Sequence, residues 1–188
     1  MKTIIIFALT FIVSLSIMAQ TSLDSLLFEK INIYRTANGL PELSWDTAVY
    51  KMSKHHTLYL NQYAKQNNFN IMIIGHNETN DIEGFEEINL MSDRFNKYVG
   101  VNYNHIVENV SGGGKIGVLT KSNSLNSTNK DLIVNYIIKS WINSPKHNQA
   151  LLSNKIIYGA CSIRLYFINN NMGSYIPIIT GATYNAYK

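Results

Sequence analysis

Two imidazoles and one carboxylate sit in apolar company in this chain. His76 stands at the exit of "NIMIIGHNETN", Glu108 inside "NHIVENVSGGG", and His147 in "SWINSPKHNQALL". A neutral imidazole keeps a lone pair for a metal ion or a proton. Two histidines and a glutamate from distant segments can bind zinc, or another divalent cation, with one position left open. Spacing alone does not establish such a site, because the chain has no HExxH and no two of the three share one helical turn. Two of them also have a plain structural reading. The Glu108 side chain can reach solvent or a nearby Lys or Arg, and His147 can be a surface residue beside a helix cap. Burying the carboxylate without a partner would be costly. A nucleophile is not evident: there is no Gly-x-Ser-x-Gly, and Cys161 lies in the alternating run "YGACSIRLYF", where a small buried apolar role is the default.

The elements that must position these groups are partly legible. "LDSLLFEKINIYRTA" (23–37) has helical apolar spacing, with Thr21 or Ser22 as cap and Gly39 past its end. "LPELSW" reads as a linker whose Trp45 packs into the core, and Asp46 caps a second helix carrying Val49, Met52, His56, Leu60 and Tyr63 on one stripe. His55 and His56 are expected as core or interface histidines. Residues 83–98 read as a weaker helix with Phe85, Ile88, Met91 and Phe95. Ile106, Glu108 and Val110 alternate with Val107 and Asn109, which predicts a short strand ended by Gly112 to Gly114, and 115–130 predicts a polar loop. "NKDLIVNYIIKSW" predicts a strong helix with Asp131 in its first turn and Trp141 at its end. Ser144 as N-cap and Pro145 as first helical residue restart the chain as a second short helix. That places His147 at the third helical position, where the positive helix terminus disfavours imidazolium. "YGACSIRLYF" and "YIPIITGATY" predict an antiparallel hairpin, with Pro177 at a sheet edge or bulge. The whole is α+β, with helices packed on an antiparallel sheet.

Composition narrows the class. Met1-Lys2, an apolar run from Ile4 to Met18, then Ala19-Gln20 describe a secretory signal peptide over residues 1–19. As a membrane span the run is slightly short and lacks a positive flank after it; an uncleaved anchor is the alternative. Removing those 19 of 188 residues leaves 169, 20–188, expected as a single domain. The lone cysteine allows no disulfide framework. The formal net charge is +4 with no basic run, so nucleic-acid binding is not indicated. Asn77-Glu78-Thr79, Asn109-Val110-Ser111 and Asn126-Ser127-Thr128 match a glycosylation sequon and are treated as chance matches.

"LLFEKINIYRTANGLPELSWDTAVYKMSKHHTLYL", "GHNET", "VENVSGG", "SWINSPKHNQALLS" and "YGACSIRLYF" together resemble the CAP superfamily, the cysteine-rich secretory, antigen 5 and pathogenesis-related-1 proteins with their SCP domain. The Trp-x-x-Ser-Pro-x-His segment is similar to the bacterial branch, and the likeness runs from about Leu23 to Thr183. It implies an α-β-α sandwich with a central antiparallel sheet and a cleft with a polar cluster. His76 matches the family's first histidine, Glu108 the glutamate of its Gly-Glu-Asn motif, and His147 its second histidine. The family's other glutamate falls at Ser144 and is absent, and Val107 replaces the glycine before Glu108. Trp141, Ser144 and Asn109 flank these positions and are expected to support the cleft.

The leader pattern predicts a secreted or periplasmic protein, and a monomer is expected; the resemblance implies zinc or another divalent cation held through His76 and His147, with Glu108 the third candidate ligand. Its partner would be a lipid, an envelope polymer or a protein. The alternative is a metal-dependent hydrolase with Glu108 as general base. An interaction protein with a vestigial cleft is a third reading.

Overall fold

The computed structural model describes residues 22–66, 75–78, 82–86, 88–100, 105–115, 127–169 and 175–187. The leader and the apolar stretch before Gly75 lie outside the described residues, as do 116–126 of the polar loop.

Helix α1 (Leu23–Ala37) starts where Ser22 accepts the Ser25 amide at 3.1 Å, and Gly39 follows its end at φ +76°, a conformation costly for other residues. Strand β1 (Ser44–Trp45) falls inside the segment read as a linker. Helix α2 (Thr47–Gln66) is capped by Asp46, whose Oδ1 accepts the Ala48 and Val49 amides at 2.8 and 3.0 Å. Helix α3 (Met91–Tyr98) is shorter than the predicted 83–98, because Gly84 sits at φ +80° in a turn closed by Phe85 N–H to Ile82 O. Strand β2 (His105–Lys115) runs through Gly112 to Gly114 rather than ending there, and the glycines mark a register shift. Helix α4 (Ser127–Ile142) begins early enough to leave Asp131 outside its first turn, and that carboxylate lies 3.5 Å from Lys30. Helix α5 is Pro145–Leu151, and strands β3 (Tyr158–Asn169) and β4 (Tyr175–Tyr187) form the expected hairpin.

Among the described residues the sheet has the order β1-β3-β4-β2. β2, β4 and β3 are antiparallel, and β1 adds a two-residue parallel pair to β3. β4 is therefore interior. Pro177 pairs with Phe167 of β3, and the described pairing of β2 with β4 ends one residue short of it, at Lys115 and Ile178, so the expectation of an edge or bulge at Pro177 falls on residues 116–126, outside the described residues.

The fold is an α-β-α sandwich. On one face Leu27, Ile31, Ile133, Ile137, Trp141 and Leu151 of α1, α4 and α5 close over Cys161 and Ile163. On the other, Val49, Met52 and Phe95 of α2 and α3 close over Ala160, with Ile106 packed beside them. Alternation along β2 follows from this: Val107 joins the first cluster, Ile106 and Val110 the clusters under α2.

Buried polar side chains tie the layers together. Asn32 accepts the Leu43 amide at 2.9 Å and donates to the Leu43 carbonyl at 3.0 Å, fixing the strand β1 approach to α1. Arg35 is fully buried and donates to the carbonyls of Leu151 and Ser153 at 2.6 and 3.0 Å, which closes the end of α5. Trp45 is 39% exposed, packing edge-on to Phe28 at the sheet margin instead of entering the core. Cys161 is buried; its Sγ donates to the Asp24 carbonyl, and burial pushes the thiol well above its ordinary range. Among the described residues no helix is long and apolar enough to cross a membrane.

Candidate functional site

Glu108 lies on the α2–α3 face of β2 with its side chain almost wholly buried. The sheet alternation that carries Ile106 and Val110 inward carries Glu108 with them, so the carboxylate must be paired. It is. His76 Nδ1 donates to Oε1 at 2.5 Å, and Arg94 Nη2 donates to Oε2 at 3.2 Å. The same guanidinium nitrogen donates to the His76 carbonyl at 2.6 Å. One arginine thus holds both the carboxylate and the backbone of the histidine that uses it.

Arg94 is fully buried on the apolar stripe of α3, between Met91 and Tyr98 and next to Phe95. Its Nε lies 3.5 Å from Glu78, a second carboxylate sealed from solvent. His55 Nε2 and His56 Nδ1 donate to Glu78 at 3.0 and 2.8 Å, and His56 Nε2 meets the Gly75 carbonyl at 3.1 Å. Burial pushes the Glu78 carboxyl up, but the two imidazole hydrogen bonds and the Arg94 charge outweigh it and hold the group below the ordinary glutamate value. Of the two histidines expected in the core or at an interface, His56 is fully buried and His55 partly so, and with Glu78 and Arg94 they form the base on which the His76–Glu108 pair stands. Sequence reasoning met Glu78 only inside a sequon and passed over Arg94. The available signal was a charged residue at i+3 from Met91 and i−1 from Phe95, inside an apolar stripe.

His76 itself is about half exposed, and among the described residues its Nε2 makes no hydrogen bond. The Glu108 hydrogen bond raises its imidazole above the ordinary value, against the opposing effect of burial. His147 stands at the third position of α5, as expected from Ser144 and Pro145. Burial lowers its imidazole, and the nearby His76 charge lowers it further. The direction matches the expectation from the helix terminus; the acting causes are burial and the facing histidine. No hydrogen bond or ion pair joins His147 to Glu108 among the described residues, and no three described His, Cys, Asp or Glu side chains are gathered as a metal-holding group.

The expected supports take different positions. Asn109 Nδ2 donates to the His147 carbonyl at 3.2 Å and ties β2 to the start of α5. Asn109 is 1% exposed, which leaves its sequon inaccessible in the fold. Ser144 occupies the N-cap with extended backbone, but its hydroxyl makes no capping bond. Trp141 is in the core beneath α5 rather than at the cleft. A cavity of about 530 Å³ opens over the pair, lined by His76, Leu90, Met91, Val107, Glu108 and Ala150.

Residues 28–166 match the profile of CAP, the cysteine-rich secretory protein family. The chain belongs to the CAP family. Solved structures of similar fold include an outer surface protein of Borrelia burgdorferi, at 18% identity and TM-score 0.51, covering 87% of this chain and 90% of that one. An extracellular protein of Bacillus anthracis containing an SCP domain aligns at 16% identity and TM-score 0.52 over 88% of this chain. A cysteine-rich secretory protein of Staphylococcus aureus aligns at 16% identity and TM-score 0.51 over 92% of this chain. This CAP chain spans 40% of the length of each of the latter two. No curated protein matches it.

Proposed function

We propose that this CAP protein is a secreted binding module whose cleft takes a divalent cation, zinc first among them, between His76 and His147. The observation that carries the reading is the 2.5 Å contact from His76 Nδ1 to Glu108, which leaves Nε2 as the nitrogen available to a ligand. Metal-bound histidines commonly donate their other ring N–H to a carboxylate, which fixes the tautomer and ring orientation. The donor set fits that pattern with Glu108 behind His76 rather than on the metal, since His76 and Arg94 already engage its two oxygens. A bound cation would supply positive charge to an anionic ligand group or polarise a bound water.

The hydrolase reading gives Glu108 the role of base, but its side chain is almost wholly buried and already engaged by His76 and Arg94. The binding reading uses Glu108 where it stands. The leader pattern at 1–19 and the surface or extracellular description of the similar Borrelia and Bacillus proteins support secretion. The ligand itself is sought among lipids, envelope polymers and proteins.

Calorimetric titration with zinc tests the site. Binding at 1:1 is expected in the wild type, lost in His76→Ala and in His147→Ala, and weakened about 10–100-fold in Glu108→Gln. Retention of full affinity in either histidine variant removes that histidine from the site, and the proposal with it.

A further inference from the structure

We propose that the outer edge of β2 docks an extended acidic peptide, which pairs as an added strand along His105–Glu108 and sets a carboxylate against Lys146 and Lys155. This deepens the binding reading above by giving the partner a chemistry.

The edge is open. β2 ends the sheet order, and among the described residues no backbone group of another element pairs with it on the side away from β4. In an antiparallel ladder every second residue turns both its N–H and its C=O away from the partner strand. Those groups form a ready template for another chain; proteins blunt such edges with Lys, Pro, bulges or inward-pointing charges, and β2 has a register shift only further along, at Gly112 and Gly114, with the inward Glu108 closing the open stretch. His105, Ile106 and Val107 include neither Lys nor Pro.

The space beside the edge is shaped for a strand. Val107 and Glu108 point to opposite faces of the sheet, yet both line the 530 Å³ cavity, so that cavity reaches the strand from its edge. A second cavity, of about 600 Å³, is lined by His105, Val107, Ala150 and both lysines. The two share Val107 and Ala150 in their linings and so lie next to each other at the first residues of β2. Four residues of strand span about 13 Å, the length of a short peptide segment.

Charge selects the occupant. The second cavity is lined by Lys146, Lys155 and His105 and by no Asp or Glu. Both lysines are exposed, and neither has an acidic partner among the described residues. A peptide is favoured over an anionic polysaccharide because its donors and acceptors repeat at the spacing of the strand edge.

The test is fluorescence anisotropy with a fluorescein-labelled TVEVET peptide, run in EDTA, alongside a TVKVKT peptide and a backbone N-methylated TVEVET. Tight binding is expected for TVEVET alone. It should weaken at least about tenfold in each control peptide and in the Lys146→Glu/Lys155→Glu protein, whose exposed positions leave the fold intact. Amide shifts in the NMR spectrum should centre on residues 105–108. The proposal is overturned if TVEVET does not bind, if TVKVKT binds equally, or if the N-methylated peptide keeps its affinity. It is also overturned if polygalacturonate binds through the lysines while the peptide does not. Because EDTA removes divalent ions, a failed zinc titration leaves a positive peptide result standing, and the reverse also holds.

Discussion

Arg94→Met is the sharpest probe of the buried base beneath the cleft. The substitution keeps much of the aliphatic stem and deletes the charge between two carboxylates. Arg94 lies 3.2 Å from Glu108 and 3.5 Å from Glu78, with all three side chains sealed from water. At an effective dielectric constant of about 20, each contact represents gross attraction of about 5 kcal/mol. Desolvating the guanidinium offsets several kcal/mol of that sum, so the net effect of removal is expected at about 3–5 kcal/mol. That is a large share of a domain's stability of about 5–15 kcal/mol. Urea unfolding followed by tryptophan fluorescence reads it as a shifted midpoint at unchanged slope. Lys30→Met breaks the exposed Lys30–Asp131 pair and should cost no more than about 1 kcal/mol. Adding Glu78→Gln to Arg94→Met should restore part of the loss, because it removes one of the stranded negative charges. An Arg94→Met protein within about 1 kcal/mol of wild type, or one that Glu78→Gln destabilises further, would refute the charge-balance argument.

His76 and His147 make opposite contributions to pH dependence in metal-free buffer. The raised His76 contributes stability that is complete below its ordinary 6.5 and lost as pH rises through its folded value; the lowered His147 contributes stability present above 6.5 and lost as pH falls. Near pH 6.5 they offset each other, so His147→Gln should expose a loss of stability on raising the pH, read by thermal melts from pH 5 to 9. Glu78, held below its ordinary 4.5, contributes stability present above that value and lost as pH falls through its folded value; Glu78→Gln should flatten the acid limb of the same curve. Cys161 should resist Ellman's reagent in the native state and react fully in urea, since it is buried and its thiolate disfavoured. Asn32→Leu leaves the buried Leu43 amide and carbonyl without partners and should cost about 2–4 kcal/mol in urea unfolding.

Local rules carried much of the architecture. Caps at Ser22 and Asp46, the Ser144-Pro145 restart and the period-2 pattern of β2 and the hairpin depend on neighbours within a few residues, and all were legible. Failures arose where a local pattern met a backbone or packing constraint. Gly84 at positive φ cut the predicted 83–98 helix back to α3, the triple glycine shifted the register of β2 instead of ending it, and Trp45 stayed at the margin because β1 is an edge strand of two residues.

By itself the sequence determined the family, the sandwich and the three residues worth testing, because motif spacing and hydrophobic period survive without coordinates. What surrounds those residues was decided by tertiary structure alone. Glu108 was open to either solvent or a cation, and the choice fell to Arg94, 14 positions upstream and on a different element. Glu78 drew no notice because nothing near it in sequence shows that α2 will bring His55 and His56 against it. A buried charge is tolerable only when its counter-charge is placed within about 4 Å, and that distance is set by how helices and sheet pack, not by the residues on either side of the charge.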